Sequence, residues 1–308
     1  MLDSGYEVAV TTQQALQRVV VVVNPARSGA VEELVALLDG RVEVEIVEPD
    51  DDLVGSIRTA ADGADTVAVV GGDGSQEAAA AALAGTDTAL GVVPGGTVNL
   101  LARILGVDSL ESAAAAIIDG STRTIDLGDV EGSTFVLNAS SGFDAAVMQR
   151  VDEGAKRWGR VGYFVTGVRA LLSHRPGRVV VTVDGREWYR GRAMTVMVTN
   201  FGQRGGADLT VAPGSAPDDG ELDVVVQRSD TVPTMARTIW MLQRGRTPRP
   251  DDLLVGHGRR IEVDWARPTT TQRDGDATGL ARRLVHEIRP ARLLVRCPPN
   301  GDEGSDRR

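Results

Sequence analysis

The residues best placed to do chemistry sit around glycines. Val69-Val70-Gly71-Gly72-Asp73-Gly74-Ser75-Gln76-Glu77 reads as a buried strand that ends in a glycine loop and opens a helix. Glycines in such a loop tolerate positive φ and let the backbone approach a ligand, and the first N–H groups of the helix carry partial positive charge suited to phosphate. Ser75 can donate to a phosphate or cap the helix, and Glu77 falls early in its first turn. Taken alone, the motif also fits a plain strand-to-helix turn. Two further loops repeat the pattern: Asn24-Pro25-Ala26-Arg27-Ser28-Gly29 and Pro94-Gly95-Gly96-Thr97-Val98-Asn99. Ligands of open α/β sheets bind beyond the carboxyl ends of the strands, so three such loops along one edge point to a shared nucleotide site.

Apolar, valine-rich runs at 19–23, 42–46, 66–70, 89–93 and 124–130 position these loops, and each of the first four precedes a helical pattern. Runs without polar alternation suit strands buried on both faces, so 18–126 is expected to be an α/β domain with a parallel sheet. Helical patterns follow at 145–153 and 161–173, then strand-like runs at 178–183, 194–199, 222–227, 260–264 and 293–295 between Gly, Pro and Asp turns. This spacing predicts a C-terminal antiparallel β-sandwich or barrel over 127–298, with one more helix at 232–242 and an Arg- and Pro-rich exit loop after it. Residues 1–17 and 299–308 read as flexible tails.

The chain resembles the diacylglycerol kinase catalytic-domain family, which includes bacterial lipid kinases and sphingosine and ceramide kinases. Asn24-Pro25, Gly71 to Ser75, Pro94 to Asn99 with Ala102-Arg103 and Leu105-Gly106, Asn138 with Gly142 to Ala145, Ala212-Pro213 through Gly220, and Arg273-Asp274-Gly275-Asp276 occur in the family's order, across about 18–298. The resemblance implies an N-terminal nucleotide domain, a C-terminal β-sandwich and a cleft between them where ATP meets a lipid hydroxyl. It carries ATP binding over to Asn24, Arg27, Ser28, Gly72, Asp73, Gly74, Ser75 and Thr97.

The same resemblance makes Asp276 the general base for the acceptor hydroxyl, where the family carries glutamate, with Asp73 also catalytic; a type I′ turn at Asp274-Gly275 is the structural alternative. It makes 218–221 a Mg²⁺-bearing turn, with Asp219 and the carbonyls of Ala216 and Glu221 as ligands. Asp126 is a further candidate for the active-site Mg²⁺ network beside Asp73. Leu100 stands where many members have aspartate, and Pro49 falls near a position where threonine often helps hold nucleotide.

Composition narrows the partners. The chain has 308 residues, 33 basic against 43 acidic, a net charge of −10, and a pI near 4.9, which argues against a dedicated nucleic-acid binder. Lys156 is the only lysine and lies outside any Gly-x-x-x-x-Gly-Lys loop, so phosphate has to be held by backbone, hydroxyl, arginine and metal. The single Cys297 rules out an intramolecular disulfide and suits a reducing cytoplasm. No signal peptide or membrane span is expected. From 156 to 192, nine Lys and Arg residues stand against Asp184 and Glu187, with Trp158, Tyr163, Phe164, Trp188 and Tyr189 among them. That stretch suits either anionic headgroups at the inner membrane face or a solvated basic surface. His174, His257 and His286 have no metal-ligand spacing and read as structural.

The expected activity is ATP- and Mg²⁺-dependent phosphorylation of a lipid at a membrane surface, within phospholipid metabolism. A kinase for a soluble acceptor such as NAD and a non-catalytic nucleotide or lipid binder are the rivals. A homodimer is left open.

Overall fold

The computed structural model describes residues 16–23, 28–96, 98–150, 175–204, 209–228 and 231–299. The N-terminal part alternates strands and helices. It runs β1 (Arg18–Val23), α1 (Ser28–Leu38), β2 (Glu43–Val47), α2 (Leu53–Ala60), β3 (Thr66–Gly71), α3 (Asp73–Leu83), β4 (Ala89–Pro94), α4 (Leu100–Ile104) and α5 (Leu110–Asp119). The strands are parallel in the order β2-β1-β3-β4. β3 is buried throughout, as its apolar run predicts. β2 departs from that expectation. Among the described residues it is the edge strand, and its Glu43, Glu45 and Ile46 are exposed, the two charges standing on that edge.

The antiparallel part follows as β5 (Ser121–Val130), β6 (Ser133–Phe135), β7 (Asn138–Gly142), α6 (Phe143–Arg150), β8 (Gly177–Val183), β9 (Arg186–Ala193) and β10 (Thr195–Thr199). Then come β11 (Gln203–Arg204), β12 (Leu209–Thr210), β13 (Leu222–Gln227), α7 (Val232–Gln243), β14 (Leu253–Gly258), β15 (Arg260–Arg273) and β16 (Asp276–Cys297). A second core of Phe135, Val179, Val181, Val224, Val263, Trp265 and their neighbours fills this part. The helix expected at 161–173 lies outside the described residues.

The short strands expected at 260–264 and 293–295 are pieces of two long ones. β15 and β16 pair antiparallel, and their registers shift between Asp264 and Thr269 and, against β5, between Arg289 and Leu293. Pro268 and Pro290 fall inside those irregularities, where a residue without an N–H is tolerated. β16 then runs along β5 and meets β4 in parallel at Val295 and Leu90. It thereby carries Leu293, Val295 and Cys297 into the N-terminal core.

Candidate active site

In the parallel order β2-β1-β3-β4 the connection reverses direction between β1 and β3, which is where open α/β sheets bind ligands. A cavity of about 210 Å³ opens there, lined by Val22, Pro49, Asp50, Val69 and Ser75 among others. Pro49 and Ser75, both singled out from the sequence, therefore face one space. Asn24, Arg27 and Thr97 lie outside the described residues, as does the side chain of Ser28.

The glycine loops are built by close approach and not by positive φ, which corrects part of their sequence rationale: none of Gly71, Gly72, Gly74, Gly95 and Gly96 has positive φ. A Cβ on Gly96 would stand 2.6 Å from the Gly72 Cα, and one on Gly95 3.1 Å from the Gly71 nitrogen. The two loops thus touch backbone to backbone, joined by a Gly95 N–H bond to the Gly71 carbonyl at 2.9 Å. Asn99, at φ 49°, closes the second loop: its Oδ1 accepts from the Gly96 N–H at 2.7 Å, and its Nδ2 donates to the Gly96 carbonyl at 2.9 Å. Asp73 Oδ1 accepts from the Leu100 N–H at 2.5 Å, so this carboxylate ties the start of α3 to the start of α4. Gly72 is the N-cap of α3 and offers no side-chain bond, and Ser75 does not cap. The Ser75 and Gln76 N–H groups both donate to the Gly72 carbonyl at 3.1 Å, and the N-terminus of α3 carries the partial positive charge of a helix start.

Arg273-Asp274-Gly275-Asp276 forms the β15–β16 turn. Arg273 pairs with Asp276, and both intervening residues have positive φ, 48° and 96°, as a two-residue type I′ turn requires. The turn and the functional reading coexist, because Asp274 does the anchoring. Its carboxylate accepts from the backbone N–H groups of Val136, Leu137 and Asn138 at 2.8 to 2.9 Å, and its own N–H donates to the Asn138 carbonyl at 2.8 Å. Burial pushes the Asp274 carboxyl up, against the pull of those three donors. Gln272 braces the turn from beneath, donating to Asn138 Oδ1 at 2.7 Å and Ser140 Oγ at 2.8 Å, while its Oε1 accepts from the Gly275 N–H at 2.8 Å. Asp276 is left exposed, and no hydrogen bond to its carboxylate occurs among the described residues.

Glu77 is the residue that sequence reasoning missed. Read as an ordinary first-turn acid, it is half-buried with Oε1 unpartnered, and its carboxyl is raised to about 9. Burial is the main cause, followed by the negative charges of Asp274, Asp73 and Asp276, with Arg273 opposing. The structure therefore groups Asp73 and Glu77 of α3 with the Asp274–Asp276 turn. The i, i+4 spacing of Asp73 and Glu77 was visible in the sequence; the hairpin facing them was not.

Asp126 is tied to the turn at 216–221. It is buried, its Oδ2 accepts from the Gly220 N–H at 2.7 Å, its Oδ1 accepts from the Ala291 N–H at 2.6 Å, and its own N–H donates to the Pro217 carbonyl at 2.6 Å. These bonds hold the 216–221 turn in place. In that turn Asp219 Oδ1 accepts from the Glu221 N–H at 2.9 Å. Burial, with Asp219 and Glu221 nearby, raises the neighbouring Asp223 carboxyl, while a Ser215 hydrogen bond and His257 oppose.

The donor sets fit a hard cation. An unpartnered buried carboxyl oxygen on Glu77 and mutually repelling carboxylates around Asp219 are both relieved by positive charge. Among the described residues no three His, Cys, Asp or Glu side chains converge on one point. Mg²⁺ takes one or two carboxylates and completes its shell with water, carbonyls and phosphate.

Comparison with known proteins agrees with this architecture. The sequence profile of the diacylglycerol kinase catalytic domain matches residues 18–130, and that of the YegS C-terminal NAD kinase beta sandwich-like domain matches residues 138–297. A diacylglycerol kinase of Mycobacterium tuberculosis is 32% identical over 254 residues, covering 78% of this chain and 79% of that protein. One of Bacillus subtilis is 29% identical over 238 residues, covering 73% and 78%. A crystal structure of a diacylglycerol kinase from Bacillus anthracis superposes with a TM-score of 0.71 at 20% identity, over 93% of this chain and 99% of that one. An NAD kinase from Archaeoglobus fulgidus in complex with ATP shares the fold more distantly, with a TM-score of 0.51 at 13% identity over 94% and 96%. With an α/β nucleotide-type domain spliced to an antiparallel sandwich and a relative of this identity and coverage, the chain belongs to the diacylglycerol kinase catalytic-domain family.

Proposed function

We propose that the protein is an ATP- and Mg²⁺-dependent lipid kinase that transfers the γ-phosphoryl group of ATP to a hydroxyl of diacylglycerol or a related lipid at the cytoplasmic membrane surface. The observation that carries this reading is that Asp276, on the antiparallel hairpin, and Asp73, on the glycine-loop helix, both lie near enough to Glu77 to raise its carboxyl. One side supplies an exposed carboxylate suited to an acceptor hydroxyl, and the other a backbone suited to phosphate.

In the proposed reaction the uncapped N–H groups at the start of α3, with Gly72, Gly74 and Ser75, bind the phosphates of ATP. Asp276 accepts the proton of the lipid hydroxyl as its oxygen bonds to the γ-phosphorus and the bond to ADP breaks in line. Asp274 and Gln272 position that carboxylate by locking the turn. Asp73 and Glu77 would hold Mg²⁺ near the nucleotide, and Asp219 with the carbonyls of Ala216 and Glu221 a second ion. When bound, Mg²⁺ neutralises phosphate charge.

Labelled ATP incubated with a lipid panel, with NAD as a soluble acceptor, tests the reading. Label is expected in a lipid. Turnover of NAD alone would favour the soluble-acceptor kinase, and ATP binding without turnover the non-catalytic binder. Asp276→Asn is expected to lower kcat by about 10²-fold or more with little change in ATP affinity; unchanged kcat removes Asp276 from its role.

A further inference from the structure

Helix α7 presents an unusual outer face. Its inward residues Met235 and Leu242 are buried, Met235 with Phe143 and Val147 of α6, and Leu242 with Met197 and Val225 of the sheet. Pro233, Ala236, Ile239 and Trp240 point outward, and Ile239 and Trp240 are 36% and 43% exposed. From 232 to 249 the chain carries Arg237, Arg244, Arg246 and Arg249 and no acid, within a protein of net charge −10. Arg237 is paired with Asp252. Arg244 and Arg246 instead lay their guanidinium groups over the Trp240 ring, 4.4 and 5.4 Å from its centroid, and neither joins a carboxylate among the described residues.

We propose that this face docks the protein on an anionic lipid bilayer, with Ile239 and Trp240 entering the headgroup boundary and Arg244 and Arg246 meeting lipid phosphates. Indole rings favour the membrane interface, and an apolar helix face flanked by cations is the pattern of helices that lie in it. Two protruding side chains with an arginine collar cover far less than the roughly 800 Å² per partner of a stable protein interface, whereas a bilayer receives them without a complementary surface. Arginine in place of acid selects anionic headgroups. Of the basic stretch noted at 156–192, residues 156–174 lie outside the described residues. The proposal rests on the lipid-kinase reading for its purpose, and its test does not depend on that reading.

Full-length protein is sedimented with vesicles of phosphatidylcholine alone and of equal parts phosphatidylcholine and phosphatidylglycerol, without ATP or diacylglycerol. The wild type is expected to bind the anionic vesicles preferentially. Ile239→Ala with Trp240→Ala is expected to weaken partitioning about tenfold or more. Arg244→Gln with Arg246→Gln is expected to weaken it by about tenfold and to blunt its salt dependence. Both variants should melt as the wild type does and turn over a short-chain, monomerically dispersed diacylglycerol unchanged. Vesicles with brominated acyl chains should quench part of the wild-type tryptophan fluorescence, and Trp240→Phe should lose that quenchable part while still binding. Absence of wild-type binding, unchanged partitioning in both double variants, or equal quenching in Trp240→Phe each overturns the proposal. Vesicle binding that follows these expectations without lipid phosphorylation would leave the docking face standing and refute the kinase reading alone.

Discussion

Burial of the Glu77 carboxyl among other acids makes stability depend on pH. That carboxyl is raised from 4.5 to about 9, so between those values the native state holds a proton that the unfolded chain has released. Stability therefore falls as pH rises from about 4.5 toward 9. Glu77→Gln keeps the neutral shape without the proton. The ligand-free variant is expected to be more stable than wild type at pH 8 by about 1–3 kcal/mol, with a flatter decline of Tm across that window. Thermal melts at several pH values check this, and a variant that melts lower at pH 8 contradicts it. The i, i+4 relation of Asp73 and Glu77 is written in the chain, but nothing local to α3 announces that Asp274 and Asp276 come to face it from two hundred residues away.

At the scale of elements, the two glycine loops can be separated by what each glycine is for. Gly96→Ala puts a methyl 2.6 Å from the Gly72 Cα, where the obstacle is backbone and cannot swing aside. It is expected to lower stability by about 1–3 kcal/mol and to weaken ATP binding by driving the loops apart. At Gly74 an added methyl meets nothing within 4 Å and φ is not positive, so no contact within the chain requires glycine. Gly74→Ala is expected to gain up to about 1 kcal/mol of stability through helix propensity while losing ATP affinity, because the ligand needs the space. Melting curves and calorimetric ATP titrations on the pair check this, and unchanged ATP affinity in Gly74→Ala would remove the ligand from the explanation. The loops themselves were legible as strand, glycines, helix. Their mutual contact was not, because Gly71 and Gly95 are neighbours only through the pairing of β3 with β4. β7 was equally hidden. Asn138-Ala139-Ser140-Ser141-Gly142 has poor strand propensity, yet it is fully buried because tertiary partners satisfy its polar groups: Trp265 Nε1 donates to Ser141 Oγ at 2.9 Å and Gln272 to Ser140 Oγ at 2.8 Å.

Over the whole molecule, β16 is the splice. It belongs to the sandwich through β15 and to the nucleotide-type core through Leu293, Val295 and Cys297. Leu293 is fully buried, so Leu293→Ala is expected to cost about 2–5 kcal/mol although it lies fifteen residues from the chain's end. Urea unfolding followed by tryptophan fluorescence, which reads the sandwich through Trp265, should register the loss if the two cores unfold together. A buried base acts at the same scale. His286 packs edge-on to Phe135 with Nδ1 at 3.2 Å from the Ile261 carbonyl, and burial lowers its pKa from 6.5 to about 4. Between those values the unfolded chain binds a proton that the native state refuses, so stability drops as pH falls from 6.5 to 4, by about 3 kcal/mol in all. This slope opposes that of Glu77 over their shared range. Glu77→Gln is therefore expected to steepen acid destabilisation below pH 6.5, and His286→Gln to remove it, as Tm-against-pH profiles of the two variants can test.

The local features were written in the chain: valine runs that become β1, β3 and β4, glycine loops at their carboxyl ends, the Asp-Gly turn, and a charge balance poorly suited to nucleic acid. These follow from propensity, from the absence of side chains, and from composition, all of which act within a few residues. Tertiary contacts alone give the Asp274 carboxylate three backbone N–H partners while Asp276 stays exposed, tie Asp126 to the 216–221 turn, and draw Glu77 out of solvent among other acids. The reason is physical. A carboxylate's role is set by the donors, charges and water around it, and those arrive from strands distant in the chain once β15 and β16 fold back across the molecule.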